Sequence, residues 1–543
     1  TGGLTSGVNN NYVGVNANAA GLLPLAYNGG STMTMALLDS SPLINLGLAA
    51  DGLSSDQRGV TYSGAPDIGA WEAVSMAPFF NSGVSAQFVT GLSSNYSITA
   101  AGFPTPAIRV QGALPSGFQL DTSGYLYGTP AAGTEGIYPL TLTASNGIGS
   151  TATETFTIYV RSQSSFGLTV NTLTDDGNAY NSLLSLREAI TNAASLGGSQ
   201  TITFAPSLFT NGPGILLLTN APTNYKPMIM PTANSKLVIN GPGPNLLMIS
   251  WGGYSPIVNS GGPNIEFDNL TFANGNGNGS YGGAIISANN LTCSNVWFLN
   301  NFNDGNYGEG GAIASVSGGT LSLINCLFSN NVSANFGGAI YAQSCGLNLK
   351  GSTFVNNASG KHQNGTTNTS TINGGGAVYY NSIFNTMNIA NTTFVSNQVM
   401  NGYGGALQAG TLSPNQANSL MVNSTLTGNS ADLGGGGIEV TNSGYPIYLF
   451  NTIVSGNSGG GNVNVDAAAG LSLATNSLIN GSAAAIFGTN TLANNGGLTP
   501  TIALLTTGPA LDGGNSSLLP AGLSADQRGL TRVSGPAVDI GAY

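Results

Sequence analysis

Between residues 270 and 460 the chain alternates apolar and polar residues over short runs, which asparagine and glycine interrupt. Typical runs read GTLSLINCLFSNN and GLNLKGSTFVNN. A period of two is typical of strands that bury one face, and Asn and Gly favour turns. No helical pattern of ten residues falls between the runs, which disfavours strand–helix units and leucine-rich repeats. We therefore predict short strands joined by turns.

Two short signals recur through this region. The first is a glycine pair before a small apolar residue, at Gly282-Gly283, Gly310-Gly311, Gly337-Gly338, Gly375-Gly376, Gly404-Gly405 and Gly436-Gly437. The second is an apolar residue three positions before an asparagine, at Phe298/Asn301, Phe328/Asn331, Phe354/Asn357, Phe394/Asn397, Leu426/Asn429 and Val454/Asn457. The glycine pairs are 28, 27, 38, 29 and 32 residues apart, and such a period indicates a solenoid, propeller or array. A coil of three short strands and turns fits this length, so we predict a right-handed parallel β-helix.

Equivalent residues of successive coils lie above one another in a β-helix. The four phenylalanines are therefore expected to form an internal aromatic stack, and the asparagines Asn301, Asn331, Asn357 and Asn397 a hydrogen-bonded ladder at a bend. Glycine supplies the left-handed backbone that tight bends require. The longest spacing contains SGKHQNGTTNTSTIN, which we expect to form an external loop. The paired motifs resemble the repeats of polymorphic outer membrane proteins over about 200 residues.

A helical cap is predicted before the repeats, at about residues 182–198. In SLLSLREAITNAASLGG, Leu186, Ala189, Ile190 and Ala193 have helical spacing, Ser185 can act as N-cap, and Gly197 can end the helix. The first coil of a solenoid exposes an open edge, which such a cap covers. The stretch resembles the start of the choice-of-anchor Q β-helix proteins of bacterial surfaces, although Leu184 replaces their usual cysteine. We assign residues 164–543 to this β-helix domain.

Residues 76–163 have a different pattern, with short alternating strands and turn signals every 8–12 residues, which is typical of a β-sandwich. The motifs LPSG, GTP and ASNG, which begin at Leu114, Gly128 and Ala144, resemble those of the immunoglobulin-like domains of bacterial surface proteins. The resemblance implies a spacer or adhesion module without a catalytic role.

Residues 25–72 and 492–543 are two copies of one sequence element, and we call them the N-terminal and the C-terminal segment. They share Asp-Gln-Arg-Gly at 56–59 and 526–529, and Asp-Ile-Gly-Ala at 67–70 and 539–542. Both resemble the closing coil of the same Q-type family. Residues 1–75 are therefore interpreted as the closing segment of a preceding β-helix in a modular array. The alternative is a partial β module packed within a single subunit.

The repeated charges of these segments suggest an ion-paired clasp. Arg58 lies between Asp56 and Asp67 in the sequence, and Arg528 lies between Asp526 and Asp539. Because the guanidinium group can bind carboxylates with two donors, each arginine is expected to join its two aspartates. We predict that these sets have a role in assembly.

Composition limits the function classes. Charged residues make up 6% of the chain, and 21 acids against 10 bases give a net charge of −11. Nucleic-acid binding needs clustered Lys and Arg, so it is disfavoured, and no apolar run is long enough to span a membrane. The three cysteines, Cys293, Cys326 and Cys345, fit neither a disulfide framework nor a zinc motif, although one bridge between neighbouring coils stays open.

Catalysis is disfavoured because acids and bases are scarce on the coils. Between residues 281 and 460 the acids are Asp304, Glu309, Asp432 and Glu439, and the bases are Lys350, Lys361 and His362. Glycoside hydrolysis needs two carboxylates about 5–9.5 Å apart, whereas Asp304 and Asp432 are about four coils apart. We predict no catalytic, cofactor or metal site.

The resulting prediction is a non-enzymatic, extracellular or surface-displayed structural protein. It would be the subunit of a fibre or adhesin stalk whose copies assemble head-to-tail, with surface glycans or other cells as further partners. The alternative is a β-helix that binds or degrades carbohydrate.

Overall fold

A computed structural model describes residues 13–48, 52–162, 167–175, 183–218, 228–230, 234–251, 255–260, 264–277, 281–305, 308–369, 372–410, 419–441, 447–460, 462–463 and 473–543. These residues form an all-β protein with few helices, in which a parallel β-solenoid of about 7 turns follows an N-terminal β-sandwich. Helices in this part of the chain are too short to cross a membrane.

The chain divides into two compact units. Unit 1 comprises Thr1–Phe166 and Asn178–Leu183, and unit 2 comprises Gly167–Gly177 and Leu184–Tyr543. The predicted domains 1–75 and 76–163 therefore both fall in unit 1. The predicted boundary between residues 163 and 164 lies outside the described residues.

Unit 1 is built from antiparallel hairpins and two larger sheets. Its strands are β1 (Leu22–Ala26), β2 (Thr34–Leu37), β3 (Met76–Phe80), β4 (Ser85–Val89), β5 (Ser94–Ser97), β6 (Ala100–Phe103), β7 (Ala107–Gln111), β8 (Phe118–Leu120), β9 (Tyr125–Gly128), β10 (Gly136–Ser145) and β11 (Ala152–Arg161). The sheets have the orders β4-β11-β10-β7 and β5-β9-β8, and β1–β2 and β3–β6 form pairs.

Alternation along the strands creates the core of the sandwich. In the second half of β10 and of β11 every second residue is buried, including Leu140, Leu142, Phe156 and Ile158. The hairpin β1–β2 belongs to a second, smaller core around Trp71, whose ring meets that of Phe103 at 5.6 Å. The N-terminal segment therefore packs on strands of the sandwich within unit 1.

Helix α1 (Leu186–Leu196) of unit 2 lies inside the predicted cap. The described part of unit 2 also contains a second short helix, α2 (Ala483–Ile486), and two 3-10 turns at Pro206–Phe209 and Ser516–Leu518. Ser185 caps α1: its hydroxyl accepts a bond from the Glu188 amide, and the Glu188 carboxylate accepts one from the Ser185 amide. The C-cap is Gly197, and Leu186, Ala189, Ile190 and Ala193 are buried.

The strands of unit 2 are short, and those before the final hairpin follow one another around the coils. They are β12 (Thr169–Val170), β13 (Gly198–Phe204), β14 (Gly214–Leu218), β15 (Met228–Met230), β16 (Asn234–Asn240), β17 (Leu247–Trp251), β18 (Val258–Ser260), β19 (Asn264–Ala273), β20 (Ile285–Ser287), β21 (Asn290–Leu299), β22 (Phe302–Asn303), β23 (Ile313–Ser315), β24 (Thr320–Ile324), β25 (Leu327–Ser329), β26 (Val332–Ser333), β27 (Ile340–Gln343), β28 (Gly346–Lys350), β29 (Thr353–Val355), β30 (Ala358–Ser359), β31 (Asn373–Gly374), β32 (Val378–Asn381), β33 (Met387–Ala390), β34 (Thr393–Val395), β35 (Gln398–Val399), β36 (Gly402–Tyr403), β37 (Leu407–Ala409), β38 (Ser419–Val422), β39 (Thr425–Thr427), β40 (Ser430–Ala431), β41 (Ile438–Val440), β42 (Ile447–Phe450), β43 (Ile453–Val454), β44 (Ser458–Gly459), β45 (Asn462–Val463), β46 (Leu473–Thr475), β47 (Leu478–Ile479), β48 (Phe487–Ala493) and β49 (Thr501–Leu504).

Three long sheets run along the stack of coils. The largest has the order β12-β13-β14-β16-β17-β19-β21-β24-β25-β28-β29-β33-β34-β38-β39-β42-β43-β46-β47. The others are β15-β18-β20-β23-β27-β32-β37-β41 and β22-β26-β30-β35-β40-β44-β45. One coil thus consists of β27, β28, β29 and β30, and the next coil pairs with it in parallel through β32, β33, β34 and β35.

The four phenylalanines of the repeat form a stack inside the coils. The ring centroids lie 4.6 Å apart between Phe298 and Phe328, 4.6 Å between Phe328 and Phe354, and 4.8 Å between Phe354 and Phe394. The rings are tilted by no more than 8° within each pair, and all four side chains are fully buried. Phe272, which was not predicted as part of the stack, extends it at 5.7 Å from Phe298.

The asparagines three residues later form a buried ladder. Each side-chain NH₂ group donates to the Oδ1 of the next asparagine, at 2.9 Å from Asn301 to Asn331, from Asn331 to Asn357 and from Asn357 to Asn397. Each also donates to the carbonyl of a phenylalanine on the preceding coil, as Asn357 does to Phe328 at 3.0 Å. The ladder therefore satisfies amides that burial would otherwise leave without partners.

Glycine and a second set of asparagines shape the bends. In the pair Gly337-Gly338, the first residue has φ +62°, and a Cβ on the second would lie 2.0 Å from the carbonyl oxygen of Gly376 on the next coil. The asparagines that precede the ladder, Asn300, Asn330 and Asn356, also take left-handed backbone, with φ between 54° and 57°. Asparagine tolerates this conformation better than other residues with a Cβ, and these side chains point to solvent.

Candidate assembly surface

The N-terminal and C-terminal segments have the same local structure. Hairpin β1–β2 pairs Leu25 with Met35 and Ala26 with Thr34, and β48–β49 pairs the equivalent residues, Leu492 with Ile502 and Ala493 with Thr501. The Asp-Gln-Arg-Gly turns also match, since each is closed by an antiparallel bridge, Ser55 to Thr61 and Ala525 to Thr531. The duplication seen in the sequence is therefore a duplication of structure.

Each arginine pairs with one aspartate of its turn and covers an aromatic ring. The shortest nitrogen–oxygen distance is 2.6 Å between Arg58 and Asp56 and 2.5 Å between Arg528 and Asp526. The guanidinium carbon of Arg58 lies 4.4 Å from the ring centroid of Trp71, and that of Arg528 lies 3.6 Å from the centroid of Tyr543.

The prediction that each arginine joins two aspartates is wrong, because the carboxylates of Asp67 and Asp539 bind backbone amides instead. The Asp67 carboxylate accepts hydrogen bonds from the backbone amides of Asn45, at 2.6 Å, and Ala73. Asp539 likewise accepts the amide of Asp512 at 2.7 Å, at the position equivalent to Asn45. These second aspartates tie loops within each segment and do not complete an ion-paired set with the arginines.

Hydrogen bonds also set the pKa of Asp56. Burial alone raises it, but hydrogen bonds from the Glu72 and Val60 amides, and from the side chain and amide of Arg58, hold the pKa below its ordinary value.

Arg532, a buried cation of the C-terminal segment, has its pKa lowered to about 10 by burial.

The C-terminal segment does not form a closing coil; it lies along the side of the β-helix across four coils. We call the surface that it covers the flank. The flank is formed by the bends and outward residues at Gly351–Thr353, Asn391–Thr393, Asn423–Thr425 and Asn451–Ile453, which follow one another in the sheet register. Ile502 and Ile540 of the segment belong to a core that includes Val395 and Ile453 of the coils.

Gln527 is the central polar contact of the segment with the flank. Its side-chain nitrogen donates to Thr353 Oγ1 at 2.7 Å and to the Ser352 carbonyl at 3.2 Å. Its side-chain oxygen accepts a bond from Thr393 Oγ1 at 2.7 Å. Only 4% of Gln527 is exposed. One buried side-chain amide therefore forms hydrogen bonds with two successive coils.

Hydrogen bonds to the backbone of the C-terminal segment extend its contact with the flank to the other coils. Asn391 donates to the Ala525 carbonyl at 2.6 Å, Thr425 Oγ1 accepts the Ala542 amide at 3.0 Å, and the Asn451 carbonyl accepts the Gly541 amide at 2.8 Å. A Cβ at Gly541 would lie 2.7 Å from the Ile453 side chain, which shows how closely the segment approaches the coil.

In the N-terminal segment the equivalent face is exposed. Gln57, the counterpart of Gln527, keeps the bonds that Gln527 makes within its own segment, to Thr32 Oγ1 at 2.8 Å and to the Met33 carbonyl at 3.4 Å. Met35 is 39% exposed, whereas its counterpart Ile502 is 2% exposed. Among the described residues, apart from its two chain neighbours, no atom lies within 4 Å of a Cβ built on Gly69, the counterpart of Gly541.

The exposed face is a shallow hollow of about 310 Å³. Its floor and rim include Met33, Met35, Gln57, Ile68 and Ala70. Residues at the equivalent positions of the C-terminal segment contact the flank. Gln57 and Gln527 were not predicted as contact residues, although both lie inside the repeated Asp-Gln-Arg-Gly motif that could have indicated them.

The acids Asp304, Glu309, Asp432 and Glu439 do not form a carboxylate pair in any contact that the structure shows. One pair of carboxylates does meet on an earlier coil, where burial and the neighbouring Glu266 raise the pKa of Asp268 to about 6. Lys236 Nζ lies 2.5 Å from the Glu266 carboxylate. Asp304 is hydrogen-bonded to His362, with 2.6 Å between Oδ1 and Nδ1. Asp432 accepts the Asn401 amide at 2.9 Å. In the described residues no group of three or more His, Cys, Asp or Glu side chains could hold a metal ion.

Burial changes the pKa of Glu309. Its Oε2 is buried, and no described group forms a hydrogen bond with it. Burial raises its pKa from 4.5 to about 7.

We predict that Glu309→Gln reduces the pH dependence of stability. A raised carboxyl pKa means that the folded state keeps a proton that the unfolded state loses, so stability falls as pH rises from about 4.5 to about 7. The difference between pH 5 and pH 8 should be smaller in the variant by on the order of 1–2 kcal/mol, after discounting for the partial exposure of the group. Denaturant titrations at both pH values measure it, and an unchanged difference would contradict the assignment.

The cysteines are small buried residues of the coils. Cys293, Cys326 and Cys345 are all free thiols, and burial raises the pKa of each, that of Cys326 to about 12. The Cys326 thiol donates to the Cys293 carbonyl at 3.3 Å. The bridge between coils that spacing left open is therefore not formed.

Comparison with known proteins identifies one module. Residues 61–161 match the family described as "Putative Ig domain" (He_PIG). Unit 1 contains an Ig-like domain. Its strands β3 to β11 lie within this match. A comparison with curated proteins finds no match.

Solved structures resemble parts of the chain only weakly. A Bacteroides fragilis protein described as a "putative alpha-galactosidase" is 20% identical over 26% of this chain and 31% of its own, with a TM-score of 0.15. A chimeric titin Z1Z2 is 23% identical over 17% of this chain and 99% of its own, with a TM-score of 0.14. The chain thus spans about a third of the first protein, and at these TM-scores neither likeness indicates a function.

Proposed function

We propose that the protein is a non-enzymatic structural component of an extracellular or cell-surface assembly. The Ig-like domain and the parallel β-solenoid fit a surface or structural role. The low charge, the polar Asn-, Ser- and Thr-rich surface and the continuous core of the coils favour a long-lived scaffold. In this proposal the modules join head-to-tail as a fibre or stalk.

The exposed face of the N-terminal segment carries the proposal. The same fold element occurs twice, and its C-terminal copy uses this face to bind the flank of a β-helix. The N-terminal copy has the same hydrogen-bonding glutamine and apolar centre, but these lie in solvent. We therefore infer that it binds the flank of another β-helix of this kind, which belongs either to a preceding module of a longer polypeptide or to a second copy of this chain.

Such a contact is head-to-tail, because the face lies in unit 1 and the flank lies in unit 2. A contact between two different surfaces propagates as an open filament unless its rotation closes a ring. The flank of each chain is covered by its own C-terminal segment, so assembly between separate chains requires an exchange of segments. In this exchange the N-terminal segment of one chain replaces the C-terminal segment on the flank of the other, as an added strand does in strand addition.

Truncation after residue 491 tests the proposal. It exposes the flank, and the truncated chain should then form concentration-dependent linear oligomers, measured by sedimentation velocity and negative-stain microscopy. Met35→Asp in the truncated chain should abolish them, since the joint would bury an unpaired charge. Met35 is 39% exposed, so the change leaves unit 1 folded.

Val84→Asp is the matched control. Val84 is 58% exposed on the sandwich and has no counterpart in the C-terminal segment, so the same charge there should leave the oligomers intact. Oligomers that persist in the Met35→Asp chain, or that both aspartates abolish equally, would show that the face is not the joint.

A further inference from the structure

A groove of about 670 Å³ lies where four successive coils of unit 2 turn. Its apolar part is formed by the buried Trp251 and by Phe302 and Val332. Phe302 and Val332 are neighbours in the register of β22 and β26, and both are half-buried. The left-handed asparagines Asn300 and Asn330 line it with their exposed side chains. Residues 361–365 of the external loop supply its remaining side.

The external loop is ordered by local contacts. Lys361 pairs with Thr367 in an antiparallel bridge, and Asn364 Oδ1 accepts bonds from the amide and hydroxyl of Thr366. The hydrogen bond between His362 Nδ1 and Asp304 Oδ1, 2.6 Å long, ties the loop to the coil that carries Phe302. This bond orients the imidazole and leaves its Nε2 as the ring atom for an additional hydrogen bond.

The lining of the groove favours a polyhydroxylated ligand. Side-chain amides offer two donors and an acceptor with two lone pairs, which suits hydroxyl groups that both donate and accept. The same amide recurs from one coil to the next, about 4.8 Å apart, so the groove offers a repeating polar edge. The half-buried Phe302 ring adds an apolar surface, which can cover the C–H face of a sugar ring.

Other ligand classes fit less well. Lys361 is the one lysine or arginine of the lining, whereas nucleic acids and polyanions need clustered cations. Added peptide strands need a free sheet edge, but β22 and β26 are paired within the sheet. Apolar small molecules need a mostly apolar pocket, and amides dominate this one.

We propose that this groove binds a neutral oligosaccharide. The chain of the sugar lies across the turns of the coils, its hydroxyl groups bond to Asn300, Asn330 and His362, and one ring packs on Phe302. The buried Asn301 takes no part, because its amide is occupied in the ladder.

Calorimetric titration of the full chain tests this. The probes are cellohexaose, xylohexaose, laminarihexaose and mannohexaose, with hexagalacturonate as a charged chain of equal length. At least one neutral hexasaccharide should bind with a Kd below about 1 mM. Asn330→Gly should weaken that binding about tenfold, as expected for the loss of an amide that makes one or two hydrogen bonds. Phe302→Ala should weaken it at least as much.

Asn356→Gly is the matched control. Asn356 occupies the equivalent turn on the next coil with φ 55°, against 57° for Asn330, and it does not line the groove. Glycine accepts this backbone in both variants, so each removes an amide at a similar cost in folding. The control should bind within twofold of the unmodified chain. Equal weakening in both variants, preference for hexagalacturonate, or no neutral probe binding at millimolar concentration would overturn the proposal.

Discussion

Replacing Phe354 with alanine should lower the free energy of unfolding of unit 2 by about 3–5 kcal/mol, the usual cost of removing a buried phenylalanine. The ring lies between Phe328 at 4.6 Å and Phe394 at 4.8 Å, and it is fully buried. Truncation would leave a cavity inside a continuous column, and the flanking coils cannot close it without breaking their strand register. Both neighbouring rings would lose a packing partner.

Guanidinium titrations followed by intrinsic fluorescence and by far-UV circular dichroism measure this change. Phe384→Ala is the matched control, because that side chain is 69% exposed and its removal should change stability by no more than about 0.5 kcal/mol. A loss below about 1 kcal/mol for Phe354→Ala would mean that the stack is not a main source of stability in the coils.

The stack and the ladder could be predicted because they depend on the repeat alone. A residue that recurs once per coil has its own equivalent as a neighbour, so the positions of Phe328 and Asn331 in the sequence determine their contacts with Phe354 and Asn357. The role of the first asparagine in each Asn-Asn doublet was missed. Glycine was considered for the left-handed bends, whereas Asn330 and Asn356 also adopt this backbone.

The position of the C-terminal segment could not be predicted in the same way. Gln527 contacts Ser352 across 175 positions of sequence, and no periodic signal relates the two residues. Resemblance to a closing coil suggested the end of the stack, but the structure places the segment on the side. The prediction that each arginine binds two aspartates was wrong for a similar reason. The sequence does not reveal that the carboxylate of Asp67 accepts hydrogen bonds from the backbone amides of Asn45 and Ala73.

The second large effect expected is a covalent link between the N-terminal segment of one chain and the flank of another. In the C-terminal segment, Gln527 Nε2 lies 2.7 Å from Thr353 Oγ1. If the N-terminal segment binds a second flank in the same way, a cysteine at position 57 of one chain lies beside a cysteine at position 353 of the other. The native cysteines are buried and should not compete for a thiol reagent.

The most direct test mixes a Gln57→Cys chain with a Thr353→Cys chain truncated after residue 491 and treats the mixture with a short bis-maleimide. We predict a covalent dimer of the two chains, which disappears when Val84→Cys replaces Gln57→Cys or when the Thr353→Cys chain keeps its C-terminal segment. Mass spectrometry of the linked peptides should show positions 57 and 353 joined. Equal linking from Val84→Cys, or linking that is unaffected by residues 492–543 on the second chain, would contradict the proposed joint.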